Sequence, residues 1–185
     1  MQVKPKKCRN CKQTFTPKRS SLEVVCSLPC ALVVAKKKEA AKWKKEKAKR
    51  KEDLMTHKDY VQKLQPIFNK FIRVRDKNQP CISCESPLPK KYDAGHCFPA
   101  GHYANLRFNE NNCHAQCIVC NQHKHGNQSE YLLRLPKRIG DVKYERLLVQ
   151  RHENTKLTIN ELKTLIIKYR EKTKILEGNE GTRTN

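Results

Sequence analysis

The chain has 185 residues, 37% of them hydrophobic, and a formal net charge of +22 from 40 Lys+Arg against 18 Asp+Glu. That length holds one medium domain or two small ones, and a core this modest calls for metal staples. The cationic excess points to a polyanionic partner. No apolar run approaches the ~18–20 residues that span a bilayer, which argues against a membrane-spanning helix.

The N-terminal Met1-Gln-Val-Lys4 carries no apolar signal region, so the expected location is the cytoplasm. In that reducing compartment the ten Cys read as metal ligands, not disulfides. Residues 1–32 hold Cys8-Arg-Asn-Cys11 and, after fourteen residues, Cys26-Ser-Leu-Pro-Cys30. Two short-spaced thiolate pairs wrap opposite edges of a Zn²⁺ tetrahedron. This knuckle is expected to support binding, with no chemistry of its own.

Residues 33–55 change character. From 36 to 51 there are ten Lys/Arg against two Glu, with no Gly or Pro. Such residues favour helix. Lys36, Lys37, Lys38, Lys44, Lys45, Lys49 and Arg50 on it are candidates for tracking a DNA backbone, an attachment that weakens steeply with salt. A solvated linker or localisation-like run is the bland alternative. Trp43 either stacks on a base or covers a neighbouring element.

Residues 56–135 are expected to form a helix and the core that follows it. Thr56-His-Lys-Asp59 has the form of a helix cap. Tyr60, Leu64, Ile67, Phe68, Phe71 and Ile72 then recur on one face of a helix over 56–78. Pro66 should kink or divide it. Arg73, Arg75 and Lys77 at its end are placed to meet phosphate.

Next comes a denser signal: Cys81-Ile-Ser-Cys84, 32 residues, then Cys117-Ile-Val-Cys120. The spacing predicts one shared Cys₄ zinc site, giving about two zinc ions per chain. Four thiolates close the coordination sphere, so catalysis would have to come from the insert. The insert carries Asp93-Ala-Gly-His96-Cys-Phe-Pro99, Asn112 and, directly after Cys120, Asn121. His96 is suited to deprotonate a water near neutral pH; a structural His is the bland reading.

These residues resemble the HNH (ββα-metal) endonuclease motif in its His-Asn-Asn form. The Cys₄ frame is similar to that of phage endonuclease VII, a Holliday-junction resolvase. Arg75-Asp76, Leu106-Arg-Phe-Asn-Glu110, His114-Ala-Gln-Cys117 and Gly126-Asn127 extend the likeness. They make the chain resemble the phage NinG (Rap) recombination proteins over most of its length, most densely at 73–131.

The resemblance implies an Mg²⁺-dependent endonuclease cutting branched recombination DNA such as Holliday junctions or D-loops, in the host cell cytoplasm. It implies His96 as base, Asn112 as the support of the loop that orients it, and Asp93 and Asn121 as Mg²⁺ ligands. Symmetric junctions imply a homodimer; host or phage recombination proteins are the partners implied. One departure stands out. Gly95 occupies the place before His96 where many HNH proteins carry the metal-binding acid, and Asp93 lies three residues back. In a regular strand 93 and 96 face opposite ways, so Asp93 needs a bulge at Gly95. His102, His114, His123 and His125 are the substitutes, His125 following Asn121 by one helical turn. Cys97 and Cys113 are expected to be buried and inert.

Residues 136–177 read as C-terminal helices. One stops before Pro136, another restarts at Gly140-Asp141, and Thr158-Ile-Asn-Glu161 caps a third. Lys137, Arg138, Lys143 and Arg146 are expected to face DNA, and 178–185 to form a disordered polar tail. The fold class is therefore α+β: a small ββα-metal (HNH-like) zinc-framed nuclease core, an N-terminal zinc knuckle, a long basic helix and C-terminal helices. The alternatives are a non-catalytic zinc-dependent DNA- or RNA-binding protein and an HNH homing or restriction endonuclease.

Overall fold

The computed structural model describes residues 4–181. It comprises two compact units, the first ending at Met55 and the second beginning at Thr56. Among the described residues no helix is long and apolar enough to cross a membrane.

In the first unit β1 (Lys6–Lys7) pairs antiparallel with β2 (Thr14–Phe15). The chain between them folds tightly. Cys8 N donates to Gln13 O at 2.8 Å and Lys12 N to Cys8 O at 3.0 Å, with Lys12 at φ 64. Helix α1 (Leu28–Asp53) follows. It starts ahead of the linker expected at 33, because Pro29 has the fixed φ that suits a first turn, and it brings Cys30 inside the helix. None of its residues is buried. Trp43 is 62% exposed, with Lys47 Nζ 5.1 Å from its ring.

The second unit is built on α2 (His57–Arg75). Asp59 N donates to Thr56 Oγ1 and Thr56 N to Asp59 Oδ2, a reciprocal cap of about 1 kcal/mol. The expected division at Pro66 does not occur. Pro66 and Gln62, the acceptor it leaves unpaired, are both exposed, so water can take that carbonyl. Leu64 and Phe68, on either side, are fully buried. They pack on α5 (Ile159–Gly181), whose Leu162, Ile166 and Tyr169 complete the face. The Phe68 ring lies 4.9 Å from Tyr169 and 5.6 Å from Phe108, edge-on to both. Because helix propagates readily once nucleated, α5 runs on to Gly181. The tail expected from 178 is helical as far as Gly181, and 182–185 lie outside the described residues.

Between these helices β3 (Asp93–His96) and β4 (Cys113–Gln116) form an antiparallel pair. Asp93 stands opposite Gln116, Gly95 opposite His114 and His96 opposite Cys113. The knuckle before β3 repeats the backbone of the first one. Cys81 N donates to Ser86 O and Glu85 N to Cys81 O, both at 2.9 Å, with Glu85 at φ 55. A π-helical turn, Val119–His123, follows β4.

Helix α3 (Gln128–Ile139) passes through Pro136 instead of stopping there. Pro136 falls in its last turn, and Gly140 N closes that turn on Pro136 O at 2.8 Å. The boundary expected at 135 thus lies inside a helix. With α4 (Asp141–Gln150) it covers a core of Ile82, Cys97, Phe98, Leu106, Tyr131, Leu135 and Leu147. The fold is mixed α and β, with two small antiparallel sheets.

Candidate active site and metal centres

The eight cysteines of the two knuckles gather as the spacing predicts. Sγ atoms of Cys8, Cys11, Cys26 and Cys30 lie within 4.8 Å of one another, as do those of Cys81, Cys84, Cys117 and Cys120. The separations Cys11–Cys26, Cys26–Cys30 and Cys84–Cys117 are 3.6, 3.7 and 3.9 Å. A tetrahedron with Zn–S of about 2.3 Å needs about 3.8 Å between sulfurs, so both sets fit zinc. Backbone donors already face the sulfurs: Cys26 N reaches Cys8 Sγ at 3.4 Å, and Cys117 N reaches Cys81 Sγ at 3.3 Å.

Burial opposes ionisation of Cys8 and Cys84. At Cys8 the N–H donors of Cys11 and Cys26 outweigh it, and at Cys84 the hydroxyl and N–H of Ser86; each thiol is held at about 6. Thiolates of this kind are what zinc requires, while in the same sets Cys26, where the sulfurs of Cys11 and Cys8 outweigh the Ser27 hydroxyl, and Cys120, by burial, are pushed up to about 12. Cys97 belongs to neither set, and burial pushes its thiol up to about 12. Burial raises Cys113 as well.

The β3–β4 pair carries the remaining candidates. Its register is regular, without the bulge that Asp93 was expected to need. Side chains therefore alternate: Asp93, Gly95, His114 and Gln116 share one face, and Ala94, His96, Cys113 and Ala115 the other. The π-helical turn brings Asn121 to the Asp93 face instead. Asp93 Oδ2 accepts Asn121 Nδ2 at 3.0 Å and Gln122 Nε2 at 2.7 Å. Two of the predicted residues are thus joined, and His96 stands on the opposite face at the strand's end.

His96 Nε2 lies 2.8 Å from Arg107 O. A carbonyl only accepts, so Nε2 carries the proton and Nδ1 the lone pair. Nδ1 meets the Cys113 thiol at 3.9 Å, a weak donor. Burial, and then the Arg107 guanidinium, pull the imidazole below its ordinary range, so it is neutral at pH 7. Asn112 is fully buried and ties the loop after His96. It accepts Phe98 N at 2.8 Å and donates to Phe98 O at 3.0 Å and Leu106 O at 3.1 Å.

Other predicted residues lie elsewhere. His125 sits beyond the π-helical turn in the left-handed region, at φ 48, so the one-turn relation to Asn121 is absent. His102 and His123 are exposed. His114 is buried, donating to Tyr131 Oη at 3.0 Å, which in turn donates to Gly95 O.

Arg75, expected at DNA, is committed to the fold. It pairs with Asp76 at 2.6 Å and donates to Glu110 O at 2.9 Å and Cys113 O at 2.8 Å. Arg138 likewise donates to Pro80 O. Arg73 does face outward, lining an open concavity with Lys70, Lys77, Lys90, Lys91 and Tyr92. In the first unit Lys36, Lys37, Lys38, Lys44, Lys45, Lys49 and Arg50 are exposed along α1. So are Lys137, Lys143 and Arg146 in the second unit.

Three contributors were not named as site residues from the sequence, although Asp76 and Gln116 stand in its motifs. Asp76 accepts Ala115 N at 2.9 Å and so anchors β4. Tyr131 holds the Gly95 carbonyl. Gln116 is buried beneath Gly95; its place in the His114-Ala-Gln-Cys117 stretch was the available signal.

Comparison with known proteins then supplies a family. A family model described as "Bacteriophage Lambda NinG protein" matches residues 1–180. The ninG protein of Escherichia phage lambda is 33% identical over 203 residues, covering 98% of this chain and 98% of that protein. That of Escherichia phage 933W is 32% identical over 193 residues, covering 95% and 96%. That of Salmonella phage P22 is 37% identical over 122 residues, covering 66% and 60%. No solved structure matches.

Proposed function

The chain belongs to the NinG family, and from that premise we propose that it is a metal-dependent DNA endonuclease of recombination, with an HNH-like ββα-metal site on the β3–β4 pair. The observation that carries the reading is the joint geometry of His96, Asn112 and Asn121. A structural histidine has no need of a buried asparagine bracing its loop at three points or of an Asn–carboxylate pair on the reverse of the same strand.

His96 acts as the base. Its Nε2–H is held by the Arg107 carbonyl, its Nδ1 lone pair meets the Cys113 thiol, a weak donor that a water can displace, and its neutral form prevails at pH 7. Asn112 keeps the imidazole at that angle. Asn121 Oδ1 presents a hard oxygen atom suited to Mg²⁺, oriented by the Asp93 carboxylate on its Nδ2. A divalent cation there would neutralise charge on the phosphate and on the leaving oxygen. Base and leaving-group side must lie on opposite sides of phosphorus in an in-line displacement. The alternation of β3 supplies two sides, and its edge away from β4 can seat the phosphate between them. The concavity of Lys70, Arg73, Lys90 and Lys91 receives the flanking backbone. The zinc knuckles hold the frame and take no part in the chemistry.

The substrate we propose is branched DNA, such as four-way junctions or D-loops. The lysines of α1 grip backbone phosphates, not base edges, which suits recognition of shape. Paired cuts in a two-fold junction call for a dimer. The test incubates zinc-loaded protein with a four-way junction and a matched linear duplex, in Mg²⁺ and in EDTA. Cutting of the junction, in Mg²⁺ only, supports the reading. Binding without cutting, in Mg²⁺ or Mn²⁺, leaves a zinc-dependent DNA-binding protein instead.

A further inference from the structure

Gln116 Oε1 is buried and has no hydrogen-bond partner among the described residues. The amide cannot simply be turned over. Its Nε2 donates to Ser83 Oγ at 2.6 Å and to Gly126 O at 2.5 Å, and a backbone carbonyl accepts only. The oxygen is thereby aimed at Gly95. Asn121 is fixed in the same manner: its Nδ2 donates to the Asp93 carboxylate, which turns Oδ1 the other way. A Cβ built on Gly95 would overlap Gln116 Oε1 and lie 3.0 Å from Asn121 Oδ1. Two amide oxygens, each locked by its own nitrogen, therefore converge on the space over Gly95. Two acceptors with no shared donor repel each other, and leaving a buried one unpaired costs about 1–3 kcal/mol.

The geometry points to Gln116 as an inner-sphere ligand of a divalent cation seated over Gly95, together with Asn121 Oδ1. The strand opposite β3 would thus supply the oxygen that the residue before His96 lacks. Gly95 is required because any side chain there fills the seat. Asp93, paired with Asn121 Nδ2, acts as the positioning carboxylate that orients the ligand. Hard carbonyl oxygens and a nearby negative charge suit Mg²⁺ or Mn²⁺ rather than a soft metal. Position 95 adjoins His96, so this cation and the imidazole flank one peptide from its two faces. The inference rests on the nuclease reading for its catalytic meaning, but not for the binding itself.

The test titrates Mn²⁺ into zinc-loaded full-length chain and reads free Mn²⁺ by electron paramagnetic resonance, with zinc content and far-UV circular dichroism as controls. Wild type should bind one Mn²⁺ beyond its zinc. Gln116→Met should weaken that binding at least tenfold, and Gly95→Ala, whose Cβ fills the proposed seat, should weaken it as far. If Gln116→Met fails to fold, Gly95→Ala decides alone. Mn²⁺ affinity indifferent to these variants, or no Mn²⁺ bound by wild type, overturns the inference. A chain that cuts DNA with Gln116-independent Mn²⁺ affinity keeps the nuclease reading and loses this one. A chain whose Mn²⁺ binding depends on Gln116 but which cuts nothing does the reverse.

Discussion

Asn121 Nδ2 donates to Asp93 Oδ2 at 3.0 Å, joining the π-helical turn to the first residue of β3. Asp93 therefore needs no bulge to enter the site, since the turn after β4 comes to it. The pairing fixes which end of the Asn121 amide faces Gly95; in the proposed site Asp93 orients a ligand. Asp93→Asn should then lower cleavage by about 10–100-fold, the range for losing a group that positions a ligand. Single-turnover rates over a Mg²⁺ titration check this. The loss should be partly restored at high Mg²⁺; a wild-type rate at every concentration would remove Asp93 from the site.

Arg75 and Asp76 give a prediction about stability. Their pair holds the end of α2 against β4 through Glu110 O, Cys113 O and Ala115 N. Arg75→Ala or Asp76→Ala should destabilise the second unit by about 3–5 kcal/mol, because each leaves a buried charge without its partner. Arg73→Ala, from the exposed concavity, should leave the melting curve unchanged and weaken DNA binding. The pH dependence follows. Burial alone would raise the Asp76 carboxyl, but Arg75 outweighs it and holds the carboxyl below its ordinary value. Its stabilisation is therefore complete above about pH 4 and lost as pH falls through the lower folded value. The stability gap between wild type and Asp76→Asn should close below pH 4.

How legible all this is in the sequence depends on whether a residue's partners are near it in the chain. The capping boxes at Thr56 and Thr158 and the apolar face of α2 are set by three- and four-residue spacings, and the structure has them where those spacings put them. The cysteine clusters are legible because metal chemistry admits few arrangements of paired thiols. Arg75 is not legible in this way. An arginine at a helix end looks solvent-bound until β4, far along the chain, brings two carbonyls to it. Pro66 looks like a break because the burial of its neighbours and the exposure of Gln62 are tertiary facts, and Pro136 because its place in a last turn depends on where the helix ends. Gln116 is silent because its meaning depends on the missing side chain of Gly95 across the strand pair.

Zinc should be separable by unit. Cys117→Ala should reduce bound zinc from two to one per chain and unfold the β3–β4 region, since structural zinc of this kind contributes roughly 10 kcal/mol or more. Cys26→Ala should also release one zinc, leaving the melting of the second unit unchanged. Metal analysis and calorimetry of both variants check this. A wild-type chain without zinc would remove the frame.

The α1 lysines predict a salt response. Replacing Lys36, Lys37, Lys38, Lys44, Lys45 and Lys49 by Gln should flatten the plot of log affinity against log salt by about 0.9 for each duplex phosphate no longer neutralised. Fluorescence anisotropy over a salt series reads it. An unchanged slope would make α1 a solvated helix with no part in DNA binding.

The central claim, that His96 is the base of a metal-dependent nuclease, is tested most directly by single-turnover cleavage of a labelled four-way junction by wild type and His96→Ala, in Mg²⁺, from pH 5 to 9. The account predicts that wild type cuts and stays active below the ordinary histidine pKa of about 6.5, because burial holds His96 neutral there. It predicts that His96→Ala cuts about 10²–10⁴-fold more slowly at every pH while binding the junction as tightly. His96→Ala cutting at the wild-type rate, or wild type that binds and never cuts, would contradict it.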